Sequence, residues 1–149
     1  MNKTVKKMKS HKKSKQMDKR FDERKKRLQK LNRKLKQLYP DAHIALKFSN
    51  NWELLVAVIL SAQCTDKKVN AVTEKLFKKY KTLEDYIQAD PAVFAQDIRS
   101  TGFYKSKANN ILSSAVRVKQ VYNGRVPKKM EDLLTLPGVA RKTANVVLG

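Results

Sequence analysis

The chain has 149 residues and carries 34 Lys and Arg against 13 Asp and Glu, a formal net charge of +21. This length suits one domain with a sizeable core, and the charge favours a polyanionic partner, most commonly nucleic acid. The single cysteine, Cys64, excludes an intramolecular disulfide and a multi-cysteine metal site, and the longest apolar run, Leu54 to Leu60, is too short for a membrane span.

The positive charge is concentrated near the N-terminus. Residues 1–40 hold 17 basic and 3 acidic side chains, whereas residues 41–149 hold 17 and 10. The basic tail either contacts a polyanion or is a solvated segment that confers solubility or loose RNA binding, and charge alone does not choose between these. The N-terminus also lacks the apolar core of a secretory signal, so we expect a soluble, cytoplasmic protein.

Residues 1–16 form a low-complexity basic stretch without apolar periodicity, which predicts a disordered tail followed by a domain over residues 17–149. From Met17 to Tyr39 the spacing predicts an amphipathic helix, which Pro40 ends. Its narrow apolar stripe consists of Phe21, Leu28, Leu31, Leu35 and Leu38.

The next elements also read as helices. Asn50 to Glu53 resembles a capping box in front of the run Leu54 to Leu60. Periodicity alone allows that run to be a buried strand or a buried helix, and the cap favours the helix. A further helix is predicted from Asp66 to Tyr80, with four residues directed inward: Val69, Val72, Leu76 and Tyr80.

The second half of the chain continues this pattern. Asp90 and Pro91 pair an N-cap with a proline at the first helical position, and Gly102 closes that helix. A helix from Lys105 to Tyr122 precedes Gly124 and has one apolar face, formed by Ala108, Ile111, Leu112, Ala115 and Val118. A short turn from Met130 to Leu134 follows. The elements predict an all-α fold.

The segment Leu136 to Val147 carries the chemistry. It reads as a tight turn containing Gly138 that opens a helix, with Lys142 in the first turn of that helix. Unpaired N–H groups and a partial positive charge at a helix N-terminus suit a phosphate. The same field disfavours an ammonium, so it favours Lys142 as a neutral amine nucleophile.

Three segments together resemble the endonuclease III family of helix-hairpin-helix DNA glycosylases with abasic-site lyase activity. They are Leu136 to Val147, Leu60 to Asn70 (Leu-Ser-Ala-Gln-Cys-Thr-Asp-Lys-Lys-Val-Asn) and Thr101 to Ala108. The resemblance implies a helix-hairpin-helix glycosylase fold that is incomplete, with the six-helix-barrel part present and the iron–sulfur part missing. It implies base-excision repair: removal of oxidised pyrimidines and β-elimination through a lysine Schiff base. The alternatives are a non-catalytic DNA-binding module and a basic RNA- or ribosome-associated protein.

The resemblance also assigns residues. Lys142 matches the nucleophile that attacks the sugar C1′, although a lysine here is ordinarily a phosphate contact. Gln63 matches the residue that fills the space left by a flipped base, although without the resemblance a helix-terminal glutamine bonded to local backbone is the preferred interpretation. The other predicted DNA-binding residues surround the hairpin: Gly138, Val139, Ala140, Arg141 and Thr143.

Several positions near these residues have alternative readings. Asp66 is an N-cap or a site residue, and Cys64 reads as a small buried hydrophobe. Ala140 stands where the hairpin pattern usually has a second glycine, and a required positive φ there would cost roughly a kcal/mol.

Two features of the family are absent from the sequence. No Asp or Glu follows Asp132, so the aspartate that assists base departure is missing, as are the four cysteines that bind a [4Fe–4S] cluster. We therefore expect no cofactor and no metal in this chain. The expected partner is double-stranded DNA with damaged bases or abasic sites, bound by a monomer at the nucleoid, with no membrane association.

Overall fold

A computed structural model describes the backbone of residues 3–149 and the side chains of residues 17–149. The described backbone is helical and contains no strand, which confirms the predicted all-α class. The chain divides into two units, Met1–His43 and Ile44–Gly149. The domain predicted over residues 17–149 stays a prediction.

The first unit is built around one long helix, α1 (Lys3–Leu38). The prediction of a helix from Met17 is confirmed, and the helical backbone also includes residues 3–16, for which the sequence predicts a disordered tail. Lysine and glutamine are good helix formers, and no Gly or Pro interrupts the chain before Pro40. Residues 1 and 2 lie outside the described residues. The large apolar side chains of the stripe are exposed on this helix: Phe21, Leu28, Leu31, Leu35 and Leu38.

The second unit begins with its central helix, α2 (Asn51–Ser61). Its N-terminus is capped by Asn50, whose Oδ1 accepts from the Glu53 N–H at 2.9 Å. Glu53 does not return a bond to Asn50; its Oε2 accepts from the Ser49 N–H at 2.6 Å. All residues from Leu54 to Leu60 are buried, so the apolar run is a helix enclosed on every side.

Two helices follow α2. Thr65 caps α3 (Asp66–Lys79) by accepting from the Lys68 N–H, so the predicted N-cap role of Asp66 is wrong. The hydroxyl oxygen of Thr65 lies one residue before the helix, where it reaches the third N–H. The sequence reading missed α4 (Leu83–Ile87), which begins with a complete capping box between Thr82 and Asp85.

The predicted helix from Asp90 to Gly102 is divided in two. Asp90 caps α5 (Pro91–Asp97) through bonds to the N–H groups of Ala92 and Val93, and a 3₁₀ turn (Arg99–Thr101) follows. The remaining helices are α6 (Tyr104–Tyr122), α7 (Met130–Leu133) and α8 (Arg141–Leu148).

The core of the second unit surrounds α2, which contacts α3, α6 and α8. On one side an aromatic cluster of Tyr80, Tyr86 and Phe94 has ring centroids 5.1–5.8 Å apart. On the other side α8 packs through Ala144, which is fully buried. This packing holds the N-terminal turn of α8 beside the C-terminal end of α2.

Candidate active site

The turn between α7 and α8 has a fixed backbone. The Val139 N–H donates to the Leu136 carbonyl at 3.2 Å, and the Ser114 hydroxyl donates to the Pro137 carbonyl at 3.0 Å. Gly138 has φ +75°, and an added Cβ would stand 2.8 Å from both the Cβ and the Nδ2 of Asn110. Glycine is therefore required at 138 for its backbone conformation and for its closeness to α6.

Ala140 precedes α8 with φ −91° and ψ 171°, which is extended backbone. The strain expected if this position needed a positive φ is absent, because the turn places its left-handed residue at Gly138 alone. Ala140 carries no side-chain oxygen and makes no capping bond. Within the described residues no group accepts from the N–H of Gly138 or Ala140. These donors are available to a phosphate.

A cleft of about 330 Å³ lies between the start of α8 and the end of α2. It brings together Lys142 and Thr143 of α8 with Gln63 of the turn after α2 and Asp66 of α3. Lys142, Gln63 and Asp66 are exposed, so their polar ends reach solvent and any bound ligand. Three residues predicted from the sequence thus meet at one cleft, and Asp66 joins them.

The other predicted residues behave differently. Val139 is buried, with its N–H occupied by Leu136, so neither its side chain nor its N–H is open to DNA. Arg141 is exposed at the start of α8 but is not among the residues that line the cleft.

Gln63 has φ +53°, a left-handed conformation that costs a non-glycine residue about 1–2 kcal/mol. The turn around it is closed by backbone bonds from Ala62 to Ile59 and from Cys64 to Ser61. Its side chain makes no hydrogen bond to the described part of the chain, so the alternative of a glutamine bonded to local backbone has no support. A strained, exposed amide is typical of a functional position.

The sequence reading missed two residues near this turn. Phe103 precedes α6 with φ +49° and is 68% exposed, an arrangement suited to stacking on a base. Lys107 is buried, and its ammonium donates to the carbonyls of Leu60 and Thr101. The sequence did contain one indication that Lys107 is buried, because it lies four residues before Ile111 and therefore on the apolar face of α6.

The family described as "HhH-GPD superfamily base excision DNA repair protein" matches residues 56–147, more than half of the chain. The chain belongs to this superfamily. The match extends from α2 through α8 and so includes both sides of the cleft. This confirms the family resemblance of the three sequence segments.

Individual relatives agree with this assignment. Endonuclease III of Synechocystis sp. is 50% identical over 114 residues, which are 76% of this chain and 52% of the relative. Endonuclease III of Bacillus subtilis is 49% identical over 115 residues, 77% of this chain and 52% of the relative. The chain therefore spans about half the length of the curated relatives it matches.

Solved structures show the same similarity. A non-covalent endonuclease III–DNA complex matches with a TM-score of 0.74 and 48% identity, over 83% of this chain and 58% of that chain. A trapped endonuclease III–DNA covalent intermediate gives the same values. A thermostable thymine-DNA glycosylase matches with a TM-score of 0.64 and 31% identity, over 68% of this chain and 46% of that chain.

The residues of this chain do not fit the iron–sulfur cluster that the family implies. Cys64 is the only cysteine and is half-buried, whereas such a cluster takes four thiolates. Over the residues with described side chains, no group of three His, Cys, Asp or Glu is placed to hold a metal ion. Separately, no helix of the described backbone is both long and apolar enough to cross a membrane.

Proposed function

We propose that this chain acts in base-excision repair on double-stranded DNA, as a glycosylase for oxidised pyrimidines with an associated abasic-site lyase. The observation that carries the proposal is the cleft that Lys142 and Gln63 both line. The curated relatives bear the name endonuclease III, and the solved relatives include its DNA complexes. We place the monomer with the DNA, in the cytoplasm at the nucleoid.

Binding begins with the phosphate backbone. The net charge of +21 attracts DNA, and the open N–H groups of Gly138 and Ala140 hold one phosphate at the hairpin. A base rotated out of the duplex leaves a space and costs a few kcal/mol, less where the base is damaged or missing. The Gln63 amide fills that space and bonds to the orphaned base on the opposite strand.

The chemical step uses the primary amine of Lys142. Its nitrogen attacks C1′ of an abasic sugar and forms a protonated imine with loss of water. Loss of a 2′ proton then breaks the bond between C3′ and its oxygen, which cuts the strand on the 3′ side of the lesion. On a base-bearing nucleotide the same attack displaces the base. Asp66 is the carboxylate among the residues that line the cleft, where its negative charge stabilises the positive charge of the imine.

A non-catalytic DNA-binding module is the second candidate. It is favoured by the position of Lys142, which is exposed beside open N–H groups and is also suited to a phosphate contact. The two candidates differ in whether the nitrogen forms a bond to carbon.

Borohydride trapping on a duplex with one abasic site separates the two. Lys142→Arg keeps the positive charge but removes the primary amine, and Lys78→Arg is the matched control at an exposed lysine of α3. The proposal predicts a covalent adduct with the native chain and with Lys78→Arg, and none with Lys142→Arg, although all three bind. Binding without an adduct in the native chain would support the module, and a preference for RNA over abasic duplex would contradict both.

A further inference from the structure

Lys107 holds a buried ammonium that the proposed chemistry does not use. The residue is 5% exposed, and its Nζ donates to the Leu60 carbonyl and to the Thr101 carbonyl, both at 2.8 Å. No carboxylate forms an ion pair with it among the described residues. Burial of an ammonium without a counter-charge is costly, and it lowers the pKa of Lys107, an effect that nearby Cys64 opposes.

The two carbonyls belong to the ends of two helical segments. Leu60 lies in the last turn of α2, where carbonyls have no partner within the helix and the dipole favours a cation. Thr101 is the last residue of the 3₁₀ turn. One ammonium thus satisfies two otherwise open acceptors from segments far apart in the sequence.

Each of these ends leads into a left-handed turn. Gln63 follows Leu60 by three residues with φ +53°, and Phe103 follows Thr101 by two residues with φ +49°. Both side chains are exposed. Lys107, which lies in α6, therefore hydrogen-bonds directly to the helix end that leads into the strained turn at Gln63 and to the 3₁₀ turn that leads into Phe103.

We propose that Lys107 is a positioning residue for Gln63. Its ammonium fixes the end of α2 against the start of α6. The Gln63 amide is thereby held in the position from which it enters an abasic site, and the turn after α2 does not have to become ordered when DNA binds. Fixing the turn before DNA arrives lowers the cost of binding. This inference rests on the proposed function, since it assumes that Gln63 contacts the abasic site.

A double-mutant cycle tests the inference. The measured quantity is the ratio of Kd for an intact duplex to Kd for a duplex with a tetrahydrofuran abasic-site analogue. The chains are the native one, Lys107→Met, Gln63→Ala and the double variant, with Val118→Ala as control. Val118 is fully buried on α6, so its truncation destabilises the core without touching either carbonyl.

We expect Gln63→Ala and Lys107→Met each to lower the ratio about three- to tenfold, the effect of about one hydrogen bond. The double variant should match Gln63→Ala, because a positioning residue has no effect once the side chain it positions is gone. Val118→Ala should lower the unfolding midpoint and leave the ratio unchanged.

An unchanged ratio in Lys107→Met, or a double variant whose loss is the product of the single losses, would overturn the inference. If Lys107→Met does not fold, Lys107→Gln replaces it, since its amide retains a donor for one carbonyl and should give a smaller loss. Failure of the proposed function has a different signature: the native chain itself would show no preference for abasic duplex and no borohydride adduct.

Discussion

Substitution of Gly138 by alanine should be much more harmful than substitution of a second glycine with the same φ. Gly138 and Gly124 both have φ +75°. An alanine in the left-handed region costs about 1–2 kcal/mol at either position. The two sites differ in what surrounds the new methyl group.

At Gly124 the nearest heavy atom to an added Cβ is Leu83 Cδ2 at 3.9 Å, an ordinary contact. At Gly138 three atoms of Asn110 lie within 2.9 Å, and one of them is a Cβ that cannot rotate away. Overpacking of this kind costs a further 1–3 kcal/mol, roughly. Gly138→Ala should therefore lower the free energy of unfolding by about 2–5 kcal/mol in total, against about 1–2 kcal/mol for Gly124→Ala.

Urea denaturation of the two variants measures this difference directly. Gly138→Ala should also weaken binding to abasic duplex, because relief of the contact with Asn110 moves the N–H groups at the hairpin, whereas Gly124→Ala should bind as the native chain does. Equal losses of stability in the two variants would refute the argument that the hairpin is packed tightly against α6.

Three further changes test other parts of the structure. Ala140→Gly should not stabilise the hairpin, because φ is −91° there, and a gain in the urea midpoint would contradict the extended backbone. Tyr86→Phe should leave the free energy of unfolding unchanged or raise it by about 1–3 kcal/mol, since the buried hydroxyl has no hydrogen-bond partner among the described residues. A clear fall in the thermal unfolding midpoint would show that the hydroxyl does have a partner. N–H groups of Thr82 and Lys81 hold the pKa of the Asp85 carboxyl below its usual value, so its contribution to stability is complete above about pH 4 and is lost as the pH falls further. Asp85→Asn should therefore unfold at a lower urea concentration than the native chain at neutral pH, and this difference in urea midpoint should shrink as the pH falls below about 4. A difference in midpoint that does not change with pH would contradict this.

Local signals account for what the sequence predicted well. The cap at Asn50 identified a helix in a run whose periodicity was ambiguous, and Gly138 placed the turn before α8. The short helix α4 was missed even though its capping box at Thr82 was visible, because five residues give too little apolar periodicity to recognise.

Long-range packing accounts for the rest. Whether Ala140 needs a positive φ depends on how the hairpin meets α6, and local sequence does not contain that information. The hydrogen bond from the Lys107 ammonium to the Leu60 carbonyl joins residues 47 apart in the sequence, so only the folded chain reveals it. The cleft itself was predictable only in part: the hairpin and the family resemblance indicated Lys142, and the resemblance indicated Gln63. The sequence left Asp66 open between an N-cap and a site residue, and the structure places it in the lining of the cleft.

The most direct test of the account is the identity of the residue that forms the covalent bond to an abasic site. After borohydride reduction, peptide mapping of the adduct should find the sugar on Nζ of Lys142, and Lys142→Arg should give no adduct while binding abasic duplex nearly as tightly as the native chain. An adduct on another lysine, or an undiminished yield from Lys142→Arg, would contradict the assignment of Lys142 as the nucleophile.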